Sequence, residues 1–191
     1  MKVYKIKYFI LVLVFSTITP SLFAQKKEPN YRNGWVIGYQ LNEFGHDFGV
    51  GLTALTPAIY SRIHFNLSYD YQYLRYQAIA GEDWKPYQQV RLGFITKAPI
   101  IKGKIDVYGG GGIVLGFLPN SMDSDTFRYG GSGTFGFSLY WYEGFTYFFE
   151  MGGTGGLGTA SKLEGKPLIG NGFYKSVGFR IHFKWISKPI I

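Results

Sequence analysis

The chain has 191 residues, with 20 Lys or Arg, 12 Asp or Glu and no Cys. Without Cys there can be neither a disulfide nor a Cys-linked lipid anchor. Charged residues make up 17% of the chain, while 17 Phe and 16 Tyr stand beside 27 Gly. The charged share is below the roughly 25% of a typical soluble domain, and so many aromatic rings are difficult to hide in a water-soluble fold.

The first 24 residues have the order of a secretory signal peptide. Lys2, Lys5 and Lys7 give a basic start, residues 8–15 form an apolar run, and a small residue, Ala24, precedes Gln25. This pattern predicts cleavage after Ala24, and the apolar run is shorter than the roughly 17–25 residues of a membrane-spanning helix. The chain is therefore expected to divide into a signal peptide, 1–24, and one mature domain, 25–191.

The mature domain remains basic. Its excess of basic over acidic residues is five, since three of the 20 basic residues lie in the signal peptide. An exported basic chain is expected to meet anionic lipid headgroups or lipopolysaccharide, and not nucleic acid. Solvation of loops is the alternative role of this charge.

Strict alternation of apolar and polar residues recurs along the mature domain. From residue 59 to residue 73 the odd positions are mostly apolar and the even positions mostly polar, and the same holds near the C-terminus. Successive side chains of a strand point to opposite faces, so each such segment has one apolar and one polar face. The pattern predicts eight strands, near 34–43, 47–56, 59–73, 86–97, 104–117, 131–140, 145–154 and 171–185.

The connections between these strands alternate in length. Residues 56–58, 98–103 and 141–144 are short and turn-like, whereas 74–85, 118–130 and 155–170 are longer and more polar; the connection at 43–46 is short. Outer-membrane barrels have short periplasmic turns and longer external loops. The predicted fold is therefore all-β: an eight-stranded antiparallel up-and-down transmembrane β-barrel.

The direction of the polarity separates a membrane barrel from a soluble one. An eight-stranded barrel is only wide enough inside for side chains, so the large apolar set is expected outside, in contact with lipid. The expected lipid-facing residues include Ile63, Phe65, Leu67, Leu92, Phe94, Phe179, Ile181 and Phe183. The expected polar network of the lumen comprises Arg62, His64, Asp70, Arg91, Asp106, Glu150, Arg180 and His182, with Asp70 close to Arg91. It is expected to fill the lumen, and a gated, porin-like narrow pore is the alternative.

The last strand carries a family resemblance. With the export signal and the eight amphipathic strands, the segment Phe179-Arg180-Ile181-His182-Phe183-Lys184-Trp185 resembles the small outer-membrane β-barrel proteins of the OmpA transmembrane-domain and OmpX type. The resemblance implies the outer membrane of a Gram-negative bacterium and assembly by the barrel assembly machinery. In that family the last strand usually ends on an aromatic residue that this machinery recognises, whereas here residues 186–191 follow Trp185.

Enzymatic and cofactor functions find little support in the residues. His46, His64 and His182 are dispersed without metal-ligand spacing, so neither a metal nor a cofactor is expected. Ser176 and His182 are about 20 Å apart along one strand, at the usual rise per residue, and cannot form a catalytic pair. A hydrolase acting on lipid A or phospholipid stays open through a cross-strand pair, and a soluble periplasmic lipocalin-like binding barrel stays open as a third possibility.

The external loops are the expected place for recognition. Trp84 in one loop, and Asp123, Asp125 and Arg128 in another, mix charge with aromatic neighbours, and function often lies on loops held by a rigid scaffold. The sequence therefore predicts a non-enzymatic envelope protein that supports the envelope or interacts through its outer surface. Ordinary solvated loops are the alternative.

Overall fold

The described part of the chain forms one closed ring of eight antiparallel strands, as predicted. The computed structural model describes residues 34–45, 47–59, 62–142 and 144–183. Each strand pairs with the next, and β1 pairs with β8 to close the barrel. The strands are β1 (Trp35–Phe44), β2 (Asp47–Leu55), β3 (Ile63–Ala78), β4 (Gly81–Ile101), β5 (Ile105–Phe117), β6 (Phe127–Tyr142), β7 (Phe145–Gly155) and β8 (Gly172–Phe183).

Several predicted features lie outside the described residues. These are the signal peptide, His46, and the end of the last predicted strand at Lys184 and Trp185. Within the described part of the chain there is no helix with the length and apolar character needed to cross a bilayer.

The alternation of the sequence becomes the two faces of the barrel wall. In β1 every second residue is buried, from Val36 to Phe44, and the residues between them are exposed. The expected outer residues of β3, β4 and β8 are all exposed or half-buried. In contrast, most of the expected lumen residues are buried, including Asp70, Arg91, Glu150 and Arg180. The barrel is thus polar inside and apolar outside.

The prediction of a long loop at 74–85 is wrong. Strands β3 and β4 run on through this segment and meet in a tight turn at 79–80, with Ala78 opposite Gly81. The hairpin projects beyond its neighbours, because β2 pairs with β3 only as far as Leu74 and β5 pairs with β4 only as far as Gln88. Both faces of a projecting hairpin can be polar, so the composition of the segment resembles that of a loop.

The predicted start of the third strand at residue 59 is also wrong. Ile59 forms an isolated bridge with Ile63, so the chain reverses direction between them. As a consequence Arg62 lies in the turn between β2 and β3, half-buried, and not in a strand facing the lumen.

The two ends of the barrel differ. One, the short-turn end, carries the connections at 56–62, 102–104 and 143–144; the other, the long-loop end, carries 45–46, 79–80, 118–126 and 156–171. At the short-turn end Val36, Leu55, Ile95 and Tyr108 form a buried apolar cluster. At the long-loop end the buried apolar cluster includes residues of both long loops; its members are Leu74, Tyr87, Val114, Leu118, Met122, Leu157, Ala160, Leu163 and Ile169. Asp70, Arg91, Glu150 and Arg180 lie between these two apolar clusters.

Candidate functional site: the charged interior of the barrel

One carboxylate of the interior, that of Asp70 in β3, accepts hydrogen bonds from side chains of β1 and β4. Gln40 and Asn42 of β1 donate hydrogen bonds to Asp70 Oδ1, at 2.6 and 2.5 Å. Arg91 Nε donates to Asp70 Oδ2 at 3.2 Å. Asp70 is fully buried, and a buried charge is tolerated only when it is paired and hydrogen-bonded. The three donors therefore meet this requirement for Asp70.

The second carboxylate, Glu150 of β7, joins both interior arginines. Arg91 Nη1 lies 3.5 Å from Glu150 Oε1, and Arg180 Nη2 lies 3.7 Å from Glu150 Oε2. The hydroxyls of Tyr174 and Tyr108 donate to the same carboxylate at 3.0 and 3.1 Å. The interior therefore holds two arginines and two carboxylates in one connected network.

Aromatic rings sandwich both guanidinium groups. The Cζ atom of Arg180 lies 3.8 Å from the ring centre of Phe148 and 5.2 Å from that of Tyr108. The Cζ atom of Arg91 lies 5.0 Å from the ring centre of Tyr174 and 5.6 Å from that of Phe44. Cations within about 6 Å of a ring centre are attracted by its electron-rich face. The rings therefore offset part of the free-energy cost of removing these two charges from water.

Glycines opposite these rings give them room. Tyr108 pairs with Gly136, Phe148 with Gly178 and Tyr174 with Gly152 across neighbouring strands. A Cβ atom added at Gly136 would lie 2.6 Å from the ring of Tyr108, and one added at Gly152 would lie 2.7 Å from the ring of Tyr174. Each ring thus lies flat against a glycine backbone and reaches the arginine beside it.

The remaining predicted lumen residues lie nearer the short-turn end. His64 Nδ1 donates to the carbonyl oxygen of Thr56 at 2.7 Å. Asp106 accepts a hydrogen bond from the hydroxyl of Tyr140 at 2.7 Å. His182 Nε2 lies 2.7 Å from Thr146 Oγ1. His182 lies opposite Val36 of the apolar cluster at this end.

Thr146 and His182 form a cross-strand hydroxyl–imidazole pair, similar to the cross-strand Ser–His pair that would be needed for a hydrolase. A hydroxyl within hydrogen-bond reach of an imidazole is the first requirement of nucleophilic catalysis. However, Thr146 is 1% exposed, and it does not line either of the clefts beside Arg75 at the long-loop end. Burial of this hydroxyl within the described part of the chain does not favour catalysis.

The long loops are fixed onto the barrel. Asp123 of the loop 118–126 accepts hydrogen bonds from Ser161 at 2.5 Å and from Arg128 Nη2 at 2.8 Å. Burial alone would raise the pKa of the Asp123 carboxyl, but the bonds from Ser161, Arg128 and the Ser124 backbone outweigh it and lower the pKa to about 2. In loop 156–171 the backbone N–H of Gly170 donates to Asp47 of β2 at 2.9 Å.

These contacts correct the expected recognition residues. Trp84 lies in strand β4 and not in a loop, and its ring lies 6.0 Å from the Cζ atom of Arg75. Asp123 is fully buried, so it joins the two loops and offers no surface contact. Arg128 belongs to β6 and is turned toward Asp123 and Asp125. Among the four, Asp125 and Trp84 are the ones largely open to solvent.

Sequence reasoning missed most of the interior aromatic residues. The alternation of the sequence predicts large aromatic residues on the outer face of the barrel. Four of them are buried inside instead: Phe44, Tyr108, Phe148 and Tyr174. One signal could have found them: each stands an even number of positions from a polar lumen residue of its own strand, as Phe148 does from Glu150. Strand parity is thus a better guide to the facing of a Tyr or Phe than its hydrophobicity.

Comparisons with known proteins agree with this fold. The sequence matches no protein-family model and no curated protein sequence. Its structure is similar to the N-terminal β-barrel domain of OprF from Pseudomonas aeruginosa, with a TM-score of 0.55 and 14% identity over 80% of this chain and 98% of that one. It is also similar to the outer membrane protein OprG from the same organism, with a TM-score of 0.52 and 12% identity over 81% of this chain and 98% of that one.

Proposed function

We propose that the chain is an integral outer-membrane β-barrel protein without enzymatic activity, which acts through its long-loop end. The observation that carries the proposal is the polarity of the wall. On the outer surface Leu52 is 57% exposed and Ile113 53% exposed, whereas Asp70 and Arg180 inside are at most 1% exposed. Burial of the charges and exposure of the apolar side chains suit a barrel surrounded by hydrocarbon.

The soluble alternative conflicts with this polarity. A soluble barrel buries its apolar residues and turns its polar ones to water. Soluble monomers rarely expose a contiguous apolar patch of more than a few hundred Å², whereas apolar side chains are exposed on all eight strands here. In water this surface would aggregate, and a lipid bilayer removes that cost. The fold shared with the barrels of OprF and OprG supports the same location.

The interior supports a filled lumen better than a pore. Ion pairs join Asp70, Arg91, Glu150 and Arg180 across the lumen, with an apolar cluster above and another below. An ion would have to cross both apolar layers and displace paired charges in between. The proposed role of the network is to hold eight strands in one register, and not to conduct.

The long-loop end is the proposed surface of interaction. The two long loops pack on each other and on the barrel through their shared apolar cluster, so they present a fixed surface. Ile79 at the tip of the β3–β4 hairpin is 95% exposed, and Tyr129 is 73% exposed. Interaction with lipopolysaccharide and delivery by the barrel assembly machinery remain predictions of the same proposal.

Fractionation with gel mobility tests the location. We expect the protein in the detergent-extractable outer-membrane fraction, with a band that shifts on heating before electrophoresis, as closed barrels unfold only when heated. Recovery from the soluble periplasm without a mobility shift would contradict the proposal. Planar-bilayer recordings on the wild type and on Asp70→Ala test the filled lumen. We expect no channel events from either protein. Steady conductance of the wild type would contradict a filled lumen and favour a pore.

A further inference from the structure

A cleft opens at the long-loop end because neighbouring strands differ in length. The β1–β2 hairpin turns directly after Phe44, whereas β3 continues to Ala78. Loop 156–171 returns to β8 on the other side of this low point of the rim. The space between them is a half-open cleft of about 420 Å³, within the roughly 300–1,000 Å³ of small-molecule sites.

The walls of the cleft are mainly apolar. Phe44 and Leu74 lie at its base, where each is 1% exposed. Pro167, Leu168 and Phe173 line its sides. Phe173 stands on the outer face of β8, four positions before Val177 and in the same parity, so the cleft continues into the apolar outer surface. An occupant can therefore enter sideways from the surrounding medium.

The rim of the cleft carries cations. Arg75 and Lys175 line it together with one exposed carboxylate, Glu43, whose Oε2 lies 3.4 Å from Lys175 Nζ. No ion pair joins Arg75 to an acidic residue within the part of the chain that the structure describes; its contact there is the ring of Trp84. Asp47 at the base accepts hydrogen bonds from Tyr87 and Gly170. Two cations and one exposed carboxylate therefore lie at the part of the rim that lines this cleft.

We propose that this cleft binds an acyl chain of an anionic lipid from the adjacent bilayer leaflet, with the phosphate of its headgroup held by Arg75 and Lys175. The inference rests on the membrane location proposed above. Apolar side walls, cations at the rim and a side entrance on the lipid-facing surface match the two parts of such a lipid. A saccharide or a peptide would leave the exposed apolar side chains of Leu168 and Phe173 without a partner.

A unique fluorescent label makes the cleft measurable, since the chain contains no Cys. Leu168 is 57% exposed at the cleft and accepts a bimane label as Leu168→Cys. The folded protein in dodecylphosphocholine micelles is titrated with phosphatidylglycerol whose acyl chains carry bromine, a contact quencher. Two further labels are controls: Leu92→Cys on the outer surface and Ile79→Cys at the hairpin tip.

We expect saturable quenching at residue 168, linear quenching at residue 92 and little quenching at residue 79. Brominated phosphatidylcholine, which has no net charge, should need an at least tenfold higher fraction for half-saturation at residue 168. The double variant Arg75→Gln, Lys175→Gln in the Leu168→Cys background should remove this preference. Both substitutions lie at the exposed rim, and heat-shifted mobility verifies that the barrel still forms.

Each remaining outcome decides between the proposals. Linear quenching at residue 168, with the same slope as at residue 92, would overturn the cleft and leave the membrane barrel in place. Absence of quenching at residue 92 would instead overturn the membrane location. Competition by millimolar glycerol phosphate would show that the cleft binds a free phosphate group and not a lipid. Saturable quenching that the double variant leaves unchanged would remove Arg75 and Lys175 from the headgroup site.

Discussion

The substitution Glu150→Gln tests whether the interior network stabilises the barrel. The change preserves the size of the side chain but removes its charge. Among the ion pairs of the described residues, Arg91 then keeps its pair with Asp70. Arg180 would then lose its ion pair and keep its contacts with the rings of Phe148 and Tyr108. Among the ion pairs of the described residues, none then remains to the buried guanidinium of Arg180.

The expected cost follows from the burial of the partners. The side chains of Arg91, Arg180 and Glu150 are 6%, 1% and 3% exposed, and breaking a buried ion pair by removing one partner costs about 3–5 kcal/mol. Glu43→Gln is the matched control, since it makes the same chemical change in an ion pair whose side chains are 52% and 55% exposed. An exposed pair contributes about 0–1 kcal/mol.

Urea unfolding in phospholipid vesicles, followed by the fraction that keeps the folded gel mobility, measures both variants. With a slope of about 2 kcal/mol per molar urea, a loss of about 3–5 kcal/mol in Glu150→Gln should lower the unfolding midpoint by about 1.5–2.5 M. Glu43→Gln should lower it by a few tenths of a molar at most. Equal shifts in the two variants would refute the reasoning, because the interior network would then contribute no more than a surface pair.

Three further predictions concern the glycines and the long loops. Gly152→Ala should destabilise the barrel by about 1–3 kcal/mol in the same assay, since its Cβ would overlap the backbone carbonyl oxygen of Gly133 and the ring of Tyr174; Gly133→Ala, whose Cβ meets no atom within 4 Å, should leave stability unchanged or slightly raised. The pKa of Asp123 is lowered to about 2 from about 3.9 in an unfolded chain, so its contribution to stability is complete above about pH 4 and is lost as the pH falls toward 2. A spin label at residue 125 should therefore become mobile over that range, whereas in Asp123→Asn it should be mobile at every pH. Leu157→Ala removes a fully buried side chain from the loop cluster, a change that costs about 2–5 kcal/mol; amide hydrogen exchange should rise in 156–171, and a barrel that loses its folded mobility would contradict a purely local role.

The strand count and the facing of the wall could be predicted from the sequence because both depend on a period of two residues. Asp70 and Arg91 have parities that place them inside, and they lie at similar distances from the turn at 79–80. In the structure Arg91 Nε is 3.2 Å from Asp70 Oδ2. Alternation carries this information wherever one face of the wall is wet or charged and the other is apolar.

The same rule fails where a strand leaves the barrel. Residues 75–78 and 81–87 project beyond their neighbours, and the hydroxyl of Tyr76 donates to Asp83 across this hairpin at 2.8 Å. Water can reach both faces of such a strand, so the apolar and polar residues no longer alternate. The polar composition of this segment then favours a loop, and the sequence does not predict the extended hairpin.

Contacts between distant segments account for the rest. Asp123 is buried because Ser161, 38 positions away in another loop, donates to it. Tyrosine is ambiguous as well: Tyr69 and Tyr147 face outward, whereas Tyr108 and Tyr174 face Glu150. Only the register of neighbouring strands decides which carboxylate a given hydroxyl can reach, and register depends on all eight strands at once.

The orientation of the wall is the claim on which the whole account depends, and spin labels measure it directly. Nitroxides at Phe65 and Ile181, which are 46% and 43% exposed on the outer face, are compared with one at Ile79 in the protein reconstituted in vesicles. Oxygen concentrates in hydrocarbon, and a nickel chelate stays in water. We predict that oxygen relaxes the labels at residues 65 and 181 and that the chelate relaxes the label at residue 79. Relaxation of residues 65 and 181 by the nickel chelate would contradict a barrel whose apolar face lies in lipid.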